Sequence, residues 1–250
     1  MRLVDTVIAA AVAALTSVVV TALSLVLTSR QRKQGEERAH RREIEGKFLN
    51  PLRLRVALVH IRLVDVLARV EGGGTRKQAL DVVADAAQVR DQEPAWFTGE
   101  GCYLASTAYL TACLFAWMDR ISKNHPFLEL QQRADTELTG LMANVQRAFL
   151  QDFGIYSVLQ ATIGHQMWDQ HEDRLITYRE FCALLCNFDD FVWFERIFVY
   201  YRETGRGEKL DRVRHAVLAT EDLARFLDRC VPGKGAIIDQ LVGSVVLAYP

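Results

Sequence analysis

The stretch Thr6–Ser29, TVIAAAVAALTSVVVTALSLVLTS, carries no charge and runs directly into Arg30-Gln31-Arg32-Lys33. As a helix rising 1.5 Å per residue it reaches about 36 Å, enough to cross a hydrocarbon core of roughly 30 Å with some tilt. A cleaved signal peptide would have a shorter apolar region, about 7 to 15 residues, ending at a small-residue cleavage site. This run continues past that length and stops at a basic cluster instead. Residues 1–29 are therefore expected to form a transmembrane anchor. The cluster Arg30, Arg32, Lys33, Arg38, Arg41 and Arg42 faces only Arg2 and the amino terminus across the span. Basic residues next to a span stay on the cytoplasmic side, so the N-terminus is expected outside and the rest of the chain inside, in a single-pass membrane protein.

The span has a face. Thr6, Ala10, Ala14, Ser17, Thr21, Ser24 and Thr28 recur at steps of four and three, which places them along one stripe of a helix. Small residues let two helices approach closely, so the stripe is a candidate for self-association in the bilayer. Ala, Ser and Thr are also common in isolated spans, and the pattern alone does not distinguish the two. Residues 30–47 mix both charges and read as a solvated juxtamembrane helix or linker. Its arginines can touch anionic headgroups, an attraction its glutamates offset.

Residues 48–250 read as one all-helical domain, in the manner of a helix bundle. Asn50-Pro51 is a helix start, with Asn as cap and Pro in the first turn. Leu52, Val56, Val59, Leu63, Val66, Leu67 and Val70 then follow at helical spacing up to Gly72-Gly73-Gly74. A weaker helical pattern covers about 76–89. Gly101 to Met118 is a second uncharged run; it includes Ser106, Thr107 and Thr111 and is short for a span, so the spacing predicts a buried core helix. Further helices are expected over about 127–149, from the capping box Thr177/Glu180, through the aromatic stretch Phe188–Tyr201, and over about 208–230. Period-two alternation is scarce, so helices dominate.

Composition narrows the function classes. Half the residues are hydrophobic, and the formal charge is −1. Eight basic against five acidic side chains fall before residue 48, so the remaining body is mildly acidic. That argues against a nucleic-acid partner, which requires concentrated positive charge. Arginine far outnumbers lysine, and with the abundant Ala and Val this suggests a GC-rich bacterial source. The five cysteines are odd in number and lie mostly in apolar runs, as reduced, packed thiols do.

Signals for chemistry are weak. His165, Asp169 and Glu172 would share a face if helical, but they run into a hydrophilic stretch and lack a second ligand set, so no metal site is expected. Cys182 and Cys186 have three intervening residues rather than two and read as packed thiols. Asp189, Asp190 and Glu195 stand beside Phe188, Phe191, Trp193 and Phe194, the composition of a helix junction. The Glu-x-x-His at Glu37 to His40 lies in the charged linker, not in a paired diiron pattern. No phosphate-binding glycine loop, nucleophile elbow or zinc-protease motif occurs, and no cofactor is expected.

The expectation is a membrane-tethered helical interaction or regulatory module whose partners are the lipid bilayer and a protein, either another chain or a second copy. One rival is a membrane-anchored enzyme using scattered residues such as His165, Asp169, Cys182 and Asp189. The other is a subunit of a transport or secretion complex, which requires Gly101 to Met118 to enter the membrane.

Overall fold

The computed structural model describes residues 28, 30–32, 35–36, 39–40, 42–72, 79–124, 132–231 and 236–239. The chain divides into two units, Met1–Ile44 and Glu45–Pro250. In the first, the described residues are helical and nearly all exposed. Arg32 pairs with Glu36 one turn on, at 2.9 Å. The apolar run expected to span the membrane lies outside the described residues, apart from Thr28.

The second unit is built almost wholly from helices. After a π turn at Glu45–Leu49 come α1 (Asn50–Glu71), a 3-10 turn at Ala86–Asp91, α2 (Pro94–Thr98) and α3 (Cys102–Asn124). Then follow α4 (Gln132–Leu150), a 3-10 turn at Gln151–Phe153 and α5 (Ser157–Gln166). A two-stranded hairpin, β1 (Trp168–Asp169) and β2 (Arg174–Leu175), precedes α6 (Tyr178–Leu185), α7 (Phe188–Gly205) and α8 (Leu210–Cys230). The all-helical expectation holds for this unit.

The reasons are local. In α1, Leu52, Val56, Val59, Leu63, Val66 and Val70 all turn into the core. Asn50 is not the cap expected of it: the preceding residue is already helical and makes no side-chain cap. Pro51 offers no N–H to the carbonyl four residues earlier and its ring crowds that carbonyl, and the wide turn at 45–49 accommodates both effects. The helix expected over 76–89 is absent among the described residues. There Asp85 caps Ala87, and Gln88 returns to the Asp85 backbone, opening only the short 3-10 turn.

Helix α3 carries the uncharged run and is the buried strut of the domain. Leu104, Ala105, Ala108, Ala112, Cys113, Leu114, Phe115 and Ala116 are all within 2 % of full burial. No described helix, α3 included, is long and apolar enough to cross a membrane. Helix α3 packs against α1 on one side and α5 on another, while α8 packs against α1 and α4. Close approach of α3 and α5 depends on Gly164, where an added Cβ would lie 2.8 Å from the Phe115 carbonyl oxygen. Helices α1 and α8 are tied by Arg53, which reaches Asp228 at 2.5 Å. Helices α1 and α3 are tied by Arg62, which donates to Ser106 and Thr107 at 3.0 Å each.

Helix α7 supplies the aromatic centre, with Phe194, Ile197, Phe198, Tyr200 and Tyr201 fully buried. Tyr201 and Thr111 share a hydrogen bond of 2.6 Å across to α3. Beside them lies Arg212, wholly buried, its guanidinium 3.9 Å over the Tyr200 ring and 2.8 Å from Glu203. The turn between α4 and α5 is of another kind. Asp152 and Phe153 both take left-handed backbone, with φ of 51° and 56°, and Phe153 is 74 % exposed.

Candidate functional site

The hairpin is positioned from both ends. Ile176 N–H donates to the Met167 carbonyl at 3.0 Å, Tyr109 Oη of α3 donates to the Ile176 carbonyl at 2.9 Å, and Trp168 pairs with Leu175 across the strands. After it, Thr177 caps α6 and Glu180 returns to the Thr177 N–H at 2.6 Å, the capping box expected from sequence.

Between the hairpin, the π turn, the start of α1 and the end of α3 lies an open cleft of about 670 Å³. Its apolar wall is Trp117 and Trp168, edge to face with ring centroids 5.2 Å apart. Arg120 lies flat against this wall, 3.9 Å above the Trp168 ring, and holds Asp173 through both oxygens at 2.8 and 3.0 Å. The Trp168 indole N–H also donates to Asp173, at 3.1 Å. Hydrogen bonds from Arg120 and Trp168 hold the Asp173 carboxyl down at about 2, so it stays ionised. Two further cations line the cleft, Lys47 and Arg55. Neither makes an ion pair or donates a side-chain hydrogen bond among the described residues, and the Lys47 ammonium lies 5.5 Å from the centre of the Phe48 ring. A recess with a tryptophan wall and two cations free of carboxylate partners can hold an anion that carries an apolar neighbour.

The residues singled out from the sequence are dispersed. Thr6, Ala10, Ala14, Ser17, Thr21 and Ser24 lie outside the described residues, as do Lys33, Arg38 and Arg41; Thr28, Arg30, Arg32 and Arg42 are helical and exposed. His165 sits exposed on α5, while the helix ends at Gln166, so Asp169 and Glu172 do not continue its face. Asp169 instead accepts the N–H groups of His171 and Glu172 at 2.9 and 3.2 Å. Among the described residues no cluster of three or more His, Cys, Asp or Glu is disposed to hold a metal.

The cysteines are less buried than expected. Cys186 ends α6 and is exposed, Cys182 is half-buried, and of the five only Cys113 is buried. Burial pushes the Cys113 thiol up to about 11 despite the nearby Arg55, and burial likewise pushes Cys182 up to about 11. Both are held as thiols at neutral pH and are poor nucleophiles. Asp189 and Asp190 lie in the first turn of α7, where Asn187 caps the helix. The junction reading holds for Phe191 and Phe194, which are buried; Phe188 and Trp193 are exposed.

Sequence reasoning missed Lys47, Arg55, Trp117, Arg120 and Trp168, which come from three distant segments. It also passed over Arg174, which sits in the hairpin and is gripped by Glu180 through both oxygens at 2.8 Å. The only sequence signal there was the density of acidic residues around it, Asp169, Glu172, Asp173 and Glu180. Comparison with models of known protein families, with characterised proteins and with solved structures finds no match to this chain.

Proposed function

We propose that this chain is a membrane-tethered helical module that binds a protein partner through the cleft at residues 46–55, 117–120 and 168–175. The partner contributes an acidic segment with an aromatic or aliphatic neighbour. The observation that carries the reading is the pairing of Lys47 and Arg55, both without carboxylate partners, with the Trp117/Trp168 wall. Cations at a half-desolvated aromatic surface recognise carboxylates, and buried aromatic anchors supply most of the binding energy at such contacts. The tether is the uncharged run Thr6–Ser29, and the basic cluster behind it sets the cleft-bearing domain on the cytoplasmic side.

The experiment is affinity purification of the full chain from detergent-solubilised cells, as native sequence and with charge reversals. A stoichiometric partner is expected, lost with Lys47→Glu plus Arg55→Glu and retained with Arg225→Glu on the outer face of α8. Recovery of the chain alone, or a partner retained by both variants, sinks the reading in favour of the anchored-enzyme rival. The tether is tested separately. Removing residues 1–29 is expected to release the chain from the membrane fraction, and a tag after residue 47 is expected to be shielded from protease added outside intact cells.

A further inference from the structure

The cleft already holds an anion, and that anion belongs to the chain. Asp173 ends the turn of the hairpin, immediately before β2, and lines the cleft. Its Oδ1 accepts from Arg120 Nη1 at 2.8 Å and from the Trp168 indole N–H at 3.1 Å, and its Oδ2 accepts from Arg120 Nη2 at 3.0 Å. Lys47, on the same cleft, adds a longer-range attraction. Two guanidinium N–H groups and an indole N–H, set against an aromatic wall, form a seat for a carboxylate with an apolar neighbour.

The hairpin has other fastenings. It is held by the bond between the Ile176 N–H and the Met167 carbonyl, by Tyr109 on the Ile176 carbonyl, and by the grip of Arg174 on Glu180. Arg120 is mostly covered and fixed by its own stacking on Trp168, whereas the Asp173 side chain is largely exposed. An ion pair with so exposed a partner is weak, since water solvates the carboxylate nearly as well as the arginine does. It is therefore exchangeable: a second carboxylate can take the fork while Asp173 turns to water. That exchange replaces like with like, so the newcomer gains only if it also covers Trp117 and Trp168.

We infer that Asp173 is a built-in competitor at this cleft: it occupies the Arg120 and Trp168 seat until the acidic segment of a partner displaces it, and so sets the threshold that segment must exceed. The inference rests on the proposed reading of the cleft as a carboxylate site and adds the exchange to it. Lys47 and Arg55 attract the incoming charge, and the Trp117/Trp168 wall supplies an apolar contact that the short side chain of Asp173 cannot make. A segment that brings carboxylates alone gains too little to displace an anion already in place.

The test is a titration of the full chain in mild detergent with phenylacetate, and with phenylacetamide as its uncharged counterpart, followed through the Trp168 indole N–H resonance. Trp168→Phe identifies that resonance. The native chain is expected to bind phenylacetate, and the resonance to move as the indole exchanges its acceptor. Asp173→Asn removes the charge, keeps an acceptor for the indole and suits the left-handed backbone at φ 50°. It is expected to bind phenylacetate about fivefold more tightly and phenylacetamide no better than the native chain does. If Asp173→Asn does not fold, Asp173→Gly, also at ease in that backbone, carries the same expectation. Phenylacetate binding that is lost with Lys47→Glu plus Arg55→Glu, yet unchanged or weakened in the Asp173 variant, overturns the inference and leaves the cleft reading standing. Equal tightening toward both probes overturns it too, because loss of Asp173 then merely opens space. Phenylacetate binding that survives Lys47→Glu plus Arg55→Glu, or that is absent from every chain, removes the cleft reading and the inference with it.

Discussion

Two arginines in this domain make nearly the same contacts in opposite surroundings. Arg212 lies 3.9 Å over the Tyr200 ring with Glu203 at 2.8 Å, and Arg120 lies 3.9 Å over the Trp168 ring with Asp173 at 2.8 Å. The Arg212 side chain has no exposure and its glutamate 18 %, whereas Arg120 is 17 % exposed and its partner Asp173 69 %, so the difference lies mainly in the acids. Water screens the second pair and releases its partner at small cost. The first is a commitment of the core: Arg212 also donates to the Tyr200 carbonyl at 2.5 Å, and its Nε is buried without a partner among the described residues. Similar geometry therefore makes a structural post in one place and a solvent-facing ion pair in the other, and burial decides between them.

The sharpest way to break this comparison is Arg212→Ala. It should cost about 3 kcal/mol, because it opens a cavity and leaves Glu203 with Lys209 alone. Denaturant unfolding of the full chain measures it, and a loss no larger than that of a surface ion pair defeats the distinction. Gly164→Ala asks whether the dry region is equally intolerant where no charge is involved. The new methyl meets the Phe115 backbone rather than a yielding side chain, and about 2 kcal/mol should be lost through separation of α3 and α5. The smallest effect belongs to Arg120→Ala. The melting temperature should change little, while Trp168 fluorescence shifts as the ring loses its covering cation and Asp173 its principal partner. A melting drop to match that of Arg212→Ala contradicts the assignment of the cleft as a solvent-facing surface.

How much of this was legible depended on distance along the chain. The apolar ladder of α1, the buried strut at Gly101 to Met118 and the Thr177/Glu180 cap are local patterns whose physics is complete within a few turns, and the fold follows them. The segment over 76–89 carried a helical pattern, but the Asp85 cap opened only the 3-10 turn at Ala86–Asp91, because local hydrogen bonding by Asp and Gln competes with the longer helix. The cleft was invisible for a different reason. Lys47, Arg55, Trp117 and Trp168 are brought together by the packing of α1 on α3 and by the anchoring of the hairpin to Tyr109, and no spacing in the sequence encodes that.

The left-handed pair Asp152 and Phe153 has a colloidal consequence. A bulky residue in this backbone region is held there against its own preference, at about 1 kcal/mol or more, and here the turn projects an aromatic ring into solvent. With Tyr156 and Val158 also exposed nearby in sequence, this corner gathers three uncovered apolar side chains. At high concentration the helical domain should associate through this corner, and detergent that covers aromatic surface should suppress it.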